Sequence, residues 1–246
     1  MSHAMSHAER LALAKAISTD LRRRERSNLV AVGLYGSVSR GEDRTHSDVD
    51  LLVVVRRKRA GIRHVVRDGI LVTVLQETPQ EARAEVTGTR PGLNDALGGW
   101  RSMQALYDPS GLLRDLTDRA RRPTREQFRE AAHQHLIETY EDRGKVLNAV
   151  ASGDLDEARE MAIWYSGAAM GALFDTEGHV LRTGRRAFIE IGRYGALGRD
   201  LRRLRYEALS LSEILRLTER TWARLLYRAR VNRVPIPEFV GRRPSS

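Results

Sequence analysis

Apolar residues fall in short unbroken runs over the first third of the chain and at helical intervals over the second half. Ser6-His7-Ala8-Glu9 is a capping box, and Leu11, Ala14, Ile17 and Leu21 then mark one face of a first helix. Leu29 to Tyr35 is a run of the length and β-branched content of a buried strand. Gly36-Ser37 breaks it, and Val38-Ser39-Arg40 can make one helical turn before Gly41 stops it. A second apolar run, Leu51 to Val55, follows Asp48-Val49-Asp50. His64 to Arg67 and Ile70 to Leu75 flank Asp68-Gly69, the pairing expected of a hairpin with a tight turn. Thr78-Pro79-Gln80-Glu81 combines a capping box with proline at the first helical position. A less regular stretch leads to Met103–Tyr107, a turn at Asp108–Gly111 and a helix over Leu112–Arg121.

From Pro123-Thr124 the pattern changes. Helical spacing predicts helices over Thr124–Ala151, Asp154–Asp175, Arg185–Arg193, Leu197–Leu209 and Ser210–Arg230, with a further capping box at Ser210. The fold class expected is α+β: a small mixed sheet with helices over residues 1–122, then an all-α helical bundle over 123–234. Residues 235–246, with Pro235, Pro237 and Pro244, read as a flexible tail.

Composition narrows the class. At 246 residues, 41% hydrophobic and 30% charged, the chain reads as a soluble globular protein of one or two domains. No apolar run approaches the ~20 residues that span a bilayer. The start, MSHAMSHAER, lacks the basic-then-apolar order of a signal peptide, and its duplicated MSHA leaves Met1 or Met5 as the start. Cysteine is absent, which excludes disulfides, thiolate metal sites and cysteine nucleophiles. A cytoplasmic location is expected. The formal charge of +10 draws the protein toward polyanions.

The chemistry concentrates between the first two strands. Glycine permits close backbone approach, and a serine beside helix N–H groups suits phosphate oxygens, which makes Gly36 and Ser37 a candidate phosphate cradle. Residues two apart on a strand share a face, so Asp48 and Asp50 project together. Paired carboxylates beyond a phosphate cradle suit a hard divalent cation carrying nucleotide phosphates.

This pattern, G-S-x-x-R-G and then D-x-D on a strand, resembles the DNA polymerase β-like nucleotidyltransferases. The later order L-I-x-x-x-E-x-x-G-K, over Leu136 to Lys145 and after the turn LYDPSG, resembles the kanamycin (aminoglycoside) nucleotidyltransferases within that superfamily. The resemblance implies a minimal nucleotidyltransferase fold and transfer of a nucleoside monophosphate from a nucleoside triphosphate to a hydroxyl, with pyrophosphate released. It implies that Gly36 and Ser37 hold the terminal phosphates with Arg40 close by, and that Asp48 and Asp50 bind Mg²⁺. It further implies that Glu141 accepts the acceptor's proton, that Lys145 balances phosphate charge, and that the protein is a homodimer. Read from spacing alone, Glu141 and Lys145 are an ordinary helical i,i+4 pair.

The chain departs from the resemblance on the third long strand. Thr73 stands where a carboxylate is expected, with Asp68 and Glu77 the nearest acids. The acceptor expected is a small hydroxylated compound, an aminoglycoside antibiotic by preference. Transfer to RNA or protein, as in toxin–antitoxin pairs, is the alternative, and a degenerate nucleotide-binding module is the third. Arg129 and His135 have the loose spacing of a helical ribonuclease pair, which an arginine-rich chain produces by chance, and Trp164-Tyr165 reads as helix core.

Overall fold

The computed structural model describes residues 5–236. Contacts divide them into two units, one formed by the chain up to Gly88 with Ala96–Pro123, the other by Thr89–Asp95 with the chain from Thr124 onward. The expected mixed α+β class holds: a sheet region first, a helical region after it.

The first unit opens with α1 (His7–Glu25), begun by the Ser6–Glu9 capping box. β1 (Leu29–Tyr35) leads into the single turn α2 (Gly36–Ser39), and β2 (Val49–Val55) follows the polar loop. β3 (Ile62–Arg67) and β4 (Ile70–Glu77) form the hairpin, with Asp68 and Gly69 both at positive φ as its turn requires. Beyond them lie α3 (Pro79–Thr87), α4 (Leu93–Arg101), β5 (Gln104–Tyr107) and α5 (Leu112–Ala120).

The five strands form one sheet in the order β3-β4-β2-β1-β5, with β2 and β4 parallel and every other pair antiparallel. Strand alternation sorts side chains onto two faces. On one, Val49, Leu51, Val53 and Val55 of β2 meet Leu34 of β1, Val72 of β4, and Ala14 and Ile17 of α1 in a dry core. The other carries Asp50 and Leu52 and is packed by α3 and α5. There Gly33 is needed for space, since a Cβ would collide with the Met103 sulfur and crowd Leu113.

Residues 89–121 depart from expectation in two ways. The stretch read as irregular contains α4, whose Leu93, Leu97 and Trp100 are buried at helical spacing. Gly98-Gly99 in its middle masked the pattern, because glycine is a poor helix former. The sequence reading also keeps residues 89–95 in the first domain, whereas they belong to the second unit. The reason is Asp175, fully buried, whose carboxylate accepts from the Gly92 and Asn94 backbone N–H groups at 3.0 Å and from Asn94 Nδ2 at 2.6 Å. His135 Nδ1 lies 2.8 Å from the same carboxylate, and Leu181 N–H donates to the Asn94 carbonyl.

The second unit continues with α6 (Arg125–Ser152), α7 (Leu155–Glu177), the short α8 (Ala187–Glu190), α9 (Gly195–Tyr206) and α10 (Leu211–Val231). Their core includes Leu136, Val146, Tyr165, Leu173, Phe174, Leu201, Leu217 and Trp222. The helix expected over Arg185–Arg193 is one α turn between two 3₁₀ segments, with Gly184, Gly192 and Gly195 in and beside it. Tyr165 is core as expected, but Trp164 is 60% exposed, because neighbours on a helix point about 100° apart. The expected tail begins too early: Ile236 packs on the core, and His133 Nδ1 lies 2.8 Å from the Pro235 carbonyl. The remainder of that tail, from Pro237, lies outside the described residues.

Candidate active site

Everything expected of the phosphate and metal positions in the first unit comes together at the end of β1. The chain leaves Tyr35 in extended conformation and enters α2 through Gly36 at φ +77°. A Cβ at Gly36 would strike the Asp50 carboxylate, so that carboxylate occupies the space a side chain would have filled. Ser37 is buried, and its carbonyl accepts from the N–H groups of Arg40 and Glu42, closing the turn. Ser39 Oγ donates to the Gly36 carbonyl at 2.9 Å.

Asp48 sits just before β2 and Asp50 within it. The Asp50 carboxyl is pushed up from its ordinary 3.8 to about 6, by burial first and then by Asp48, with Arg40 acting in the opposite direction. Arg40 is itself engaged by Glu42 at 3.1 Å and by Ser102 Oγ at 3.4 Å. The site thus holds two carboxylates in partly dry surroundings, with repulsion between them only partly offset. Hard oxygen donors so placed fit a divalent cation whose remaining ligands are phosphate oxygens and water, the usual mode for Mg²⁺. Among the described residues no group of three or more His, Asp or Glu forms a metal cluster.

The missing third carboxylate has a definite place. Tyr35, Asp50, Thr73 and His64 are successive partners across β1, β2, β4 and β3 and so form one row on one sheet face. Thr73 is directly beside Asp50, and its hydroxyl lies 3.3 Å from His64 Nδ1. Asp68 is confined to the hairpin turn at φ +51°.

Two further carboxyls lie near this face: Glu77, one of the acids the sequence offered, and Glu85, which sequence reasoning missed. Glu77, on the same face as Thr73 and 6% exposed, has its Oε2 buried without a partner. Its carboxyl is pushed up to about 8 by burial and by Glu85. Glu85 is held by the Trp100 indole N–H at 3.0 Å. The Tyr35 phenol is raised above its ordinary value by burial and then by Asp50, Glu85, Asp48 and Glu77, so all four carboxylates act on one ring. Glu85 follows Glu81 by one helical turn, the sole sequence signal for it, and nothing in the sequence ties either to Trp100.

Glu141 and Lys145 lie in the second unit, on α6. Lys145 Nζ is 2.9 Å from Asp142 and 3.1 Å from Glu141, and its pKa is raised, first by the Asp142 hydrogen bond. Glu141 is 74% exposed. Arg129 and His135 do not form a pair: Arg129 donates to the Asn232 carbonyl while His135 faces Asp175.

Residues 14–88 match the family described as the nucleotidyltransferase domain, a span that contains Gly36, Ser37, Arg40, Asp48 and Asp50. This stretch, under a third of the chain, is similar to nucleotidyltransferase domains. The match supports the nucleotidyltransferase class and a nucleoside triphosphate as donor substrate. Among solved structures, a nucleotidyltransferase-like protein from Exiguobacterium sibiricum aligns with a TM-score of 0.59 at 12% identity, covering 89% of this chain and 76% of that one. That likeness concerns the fold alone. No curated protein matches the sequence. No helix among the described residues is long and apolar enough to cross a membrane.

Proposed function

We propose that this protein is a Mg²⁺-dependent nucleotidyltransferase that moves a nucleoside monophosphate from a nucleoside triphosphate to a hydroxyl of an aminoglycoside, acting in the cytoplasm as a homodimer. The observation that carries the reading is the contact between Gly36 and Asp50, which brings the phosphate turn against the carboxylate pair. Gly36, Ser37 and Arg40 hold the terminal phosphates, with Lys145 adding positive charge. Asp48 and Asp50 hold the cation. When bound, Mg²⁺ supplies charge that stabilises the triphosphate oxygens.

The reaction is an in-line displacement. The acceptor hydroxyl oxygen bonds to the α-phosphorus as the bond to the β-phosphate oxygen breaks, and pyrophosphate departs with that oxygen. Glu141 takes the hydroxyl proton, a contribution of about 10²–10⁴ in rate for a positioned base. The choice of a cationic acceptor is supported by Glu77 and Glu85, two carboxyls near the Asp50 face whose ionised forms a bound cation would favour. A polycation leaving water needs such partners.

The test is mass spectrometry of products from kanamycin-type, neomycin-type and lincosamide acceptors beside bulk tRNA, with ATP or GTP and Mg²⁺. A mass increase of one nucleoside monophosphate on an aminoglycoside is expected. Label in tRNA and in no antibiotic would replace the acceptor named here with RNA.

A further inference from the structure

Arg10 is placed by its sequence position on an ordinary helix, yet it is 2% exposed. Burying a guanidinium requires that its donors be met. Its partners come from the loop that carries the chain from the phosphate turn to Asp48. Nε donates to the Ser47 carbonyl at 3.1 Å, Nη2 to the Thr45 carbonyl at 2.7 Å, and Nη1 to the Asp43 carboxylate at 3.1 Å and to the Met5 carbonyl. Asp43, with a side chain 3% exposed, also has His7 Nδ1 at 2.6 Å. The loop, Gly41 to Ser47, has no apolar side chain with which to anchor itself. Its own bonds are local: Ser47 N–H to the Arg44 carbonyl, and Arg44 N–H to Ser47 Oγ. The guanidinium, with His7 beside it, therefore attaches the loop to α1, and the last carbonyl that Arg10 holds belongs to the peptide that enters Asp48.

We infer that Arg10 is a positioning residue for the divalent cation, fixing the Ser47–Asp48 peptide so that Asp48 stands beside Asp50. It touches neither the metal nor the nucleotide and acts through the backbone it holds. A lysine cannot replace it, since one ammonium cannot reach acceptors spread around a planar fork. The inference rests on the assignment of Asp48 and Asp50 to the metal.

The experiment is an Mn²⁺ titration of the full chain followed by EPR, with a non-hydrolysable ATP analogue present, on the unaltered protein, Arg10→Lys and Asp43→Asn. Circular dichroism reports whether each is folded, and hydrogen exchange is read for the amides of residues 44–48. In folded Arg10→Lys, Mn²⁺ affinity should fall by about 10–100-fold, the range for residues that orient metal ligands. The 44–48 amides should exchange faster while those of α6, α7 and α10 do not. Should Arg10→Lys fail to fold, Asp43→Asn decides, because it keeps the carbonyl bonds and removes one charged partner; the same direction with a smaller loss is expected. Combining Arg10→Lys with Asp48→Asn should cost less than the sum of the two. A folded variant with unchanged Mn²⁺ affinity overturns the inference, whatever its melting temperature. Failure of the unaltered protein to bind Mn²⁺ overturns the metal assignment itself, and this inference with it.

Discussion

Gly36 and Asp50 are complementary: the glycine lacks the one carbon that the aspartate carboxylate would collide with. One helical turn and a polar loop separate them in sequence, yet β1 and β2 pair so that Tyr35 faces Asp50 and the next residue turns away. The turn and the carboxylate are thus built as one object. Gly36→Ala meets a steric obstacle and an unfavourable positive φ together. Displacing the carboxylate should lower turnover by about 10²-fold, with Mg²⁺ dependence moved to higher concentration. Turnover within a factor of two of the unaltered enzyme would count against the assigned geometry.

Asp50 trades stability for function. Its folded pKa, about 6, exceeds its ordinary 3.8, so the folded state binds that proton more tightly than the unfolded chain. The stabilisation is full below about pH 4 and lost as pH rises through 6. Asp50→Asn should therefore abolish turnover yet melt higher than the unaltered protein at pH 8 in metal-free buffer. The difference should shrink toward pH 4. Scanning calorimetry at the two pH values decides it, and a lower melting temperature at pH 8 would refute the sign.

Glu141 and Lys145 should separate in kinetics. Glu141→Gln is expected to reduce turnover by about 10²–10⁴ with little effect on nucleotide affinity. Lys145→Ala is expected to weaken triphosphate binding as well as turnover. Small and equal effects from the two would return them to an ordinary helical ion pair of the kind the 74% exposure of Glu141 also permits.

The Asp175 clasp makes a prediction about stability alone. Asp175→Ala leaves the Gly92 and Asn94 N–H groups buried without their acceptor and should cost about 2–4 kcal/mol. Urea denaturation measures it. A loss within 0.5 kcal/mol, the ordinary range for a surface change, would mean that water satisfies these donors.

A homodimer is expected from the resemblance, and exposed side chains such as Ile189, Tyr206 and Tyr227 give the helical unit apolar surface for it. Sedimentation velocity at micromolar concentration should give twice the chain mass. A monomer there would remove the dimer from the reading.

What could be read from the sequence was what is encoded locally. The capping boxes at Ser6, Thr78 and Ser210 start helices because side chain and backbone meet within one turn. Asp68-Gly69 fixes a hairpin by turn conformation alone. The placement of Gly36, Ser37, Asp48 and Asp50 around one turn was legible because two short strands deliver them. Arg10 was not, since its acceptors are loop carbonyls more than thirty residues away. Nor was the Glu77–Glu85 pair, which depends on how α3 and Trp100 meet β4. Trp164 was misjudged because apolar character does not say which way a helical residue faces.

The placement of β5 sets an order of assembly. β1 precedes the segments that cover its outer edge and the space above Gly33, namely β5, Met103 and α5. Those segments follow Thr89–Asp95, which belongs to the helical unit. A fragment ending at residue 88, where the family match stops, would leave β1 with an open edge and an uncovered apolar face. The nascent sheet stays a template for wrong pairing until the chain has returned to it. The residues after 88 are therefore part of what closes the sheet, although they lie outside the stretch that carries the family resemblance.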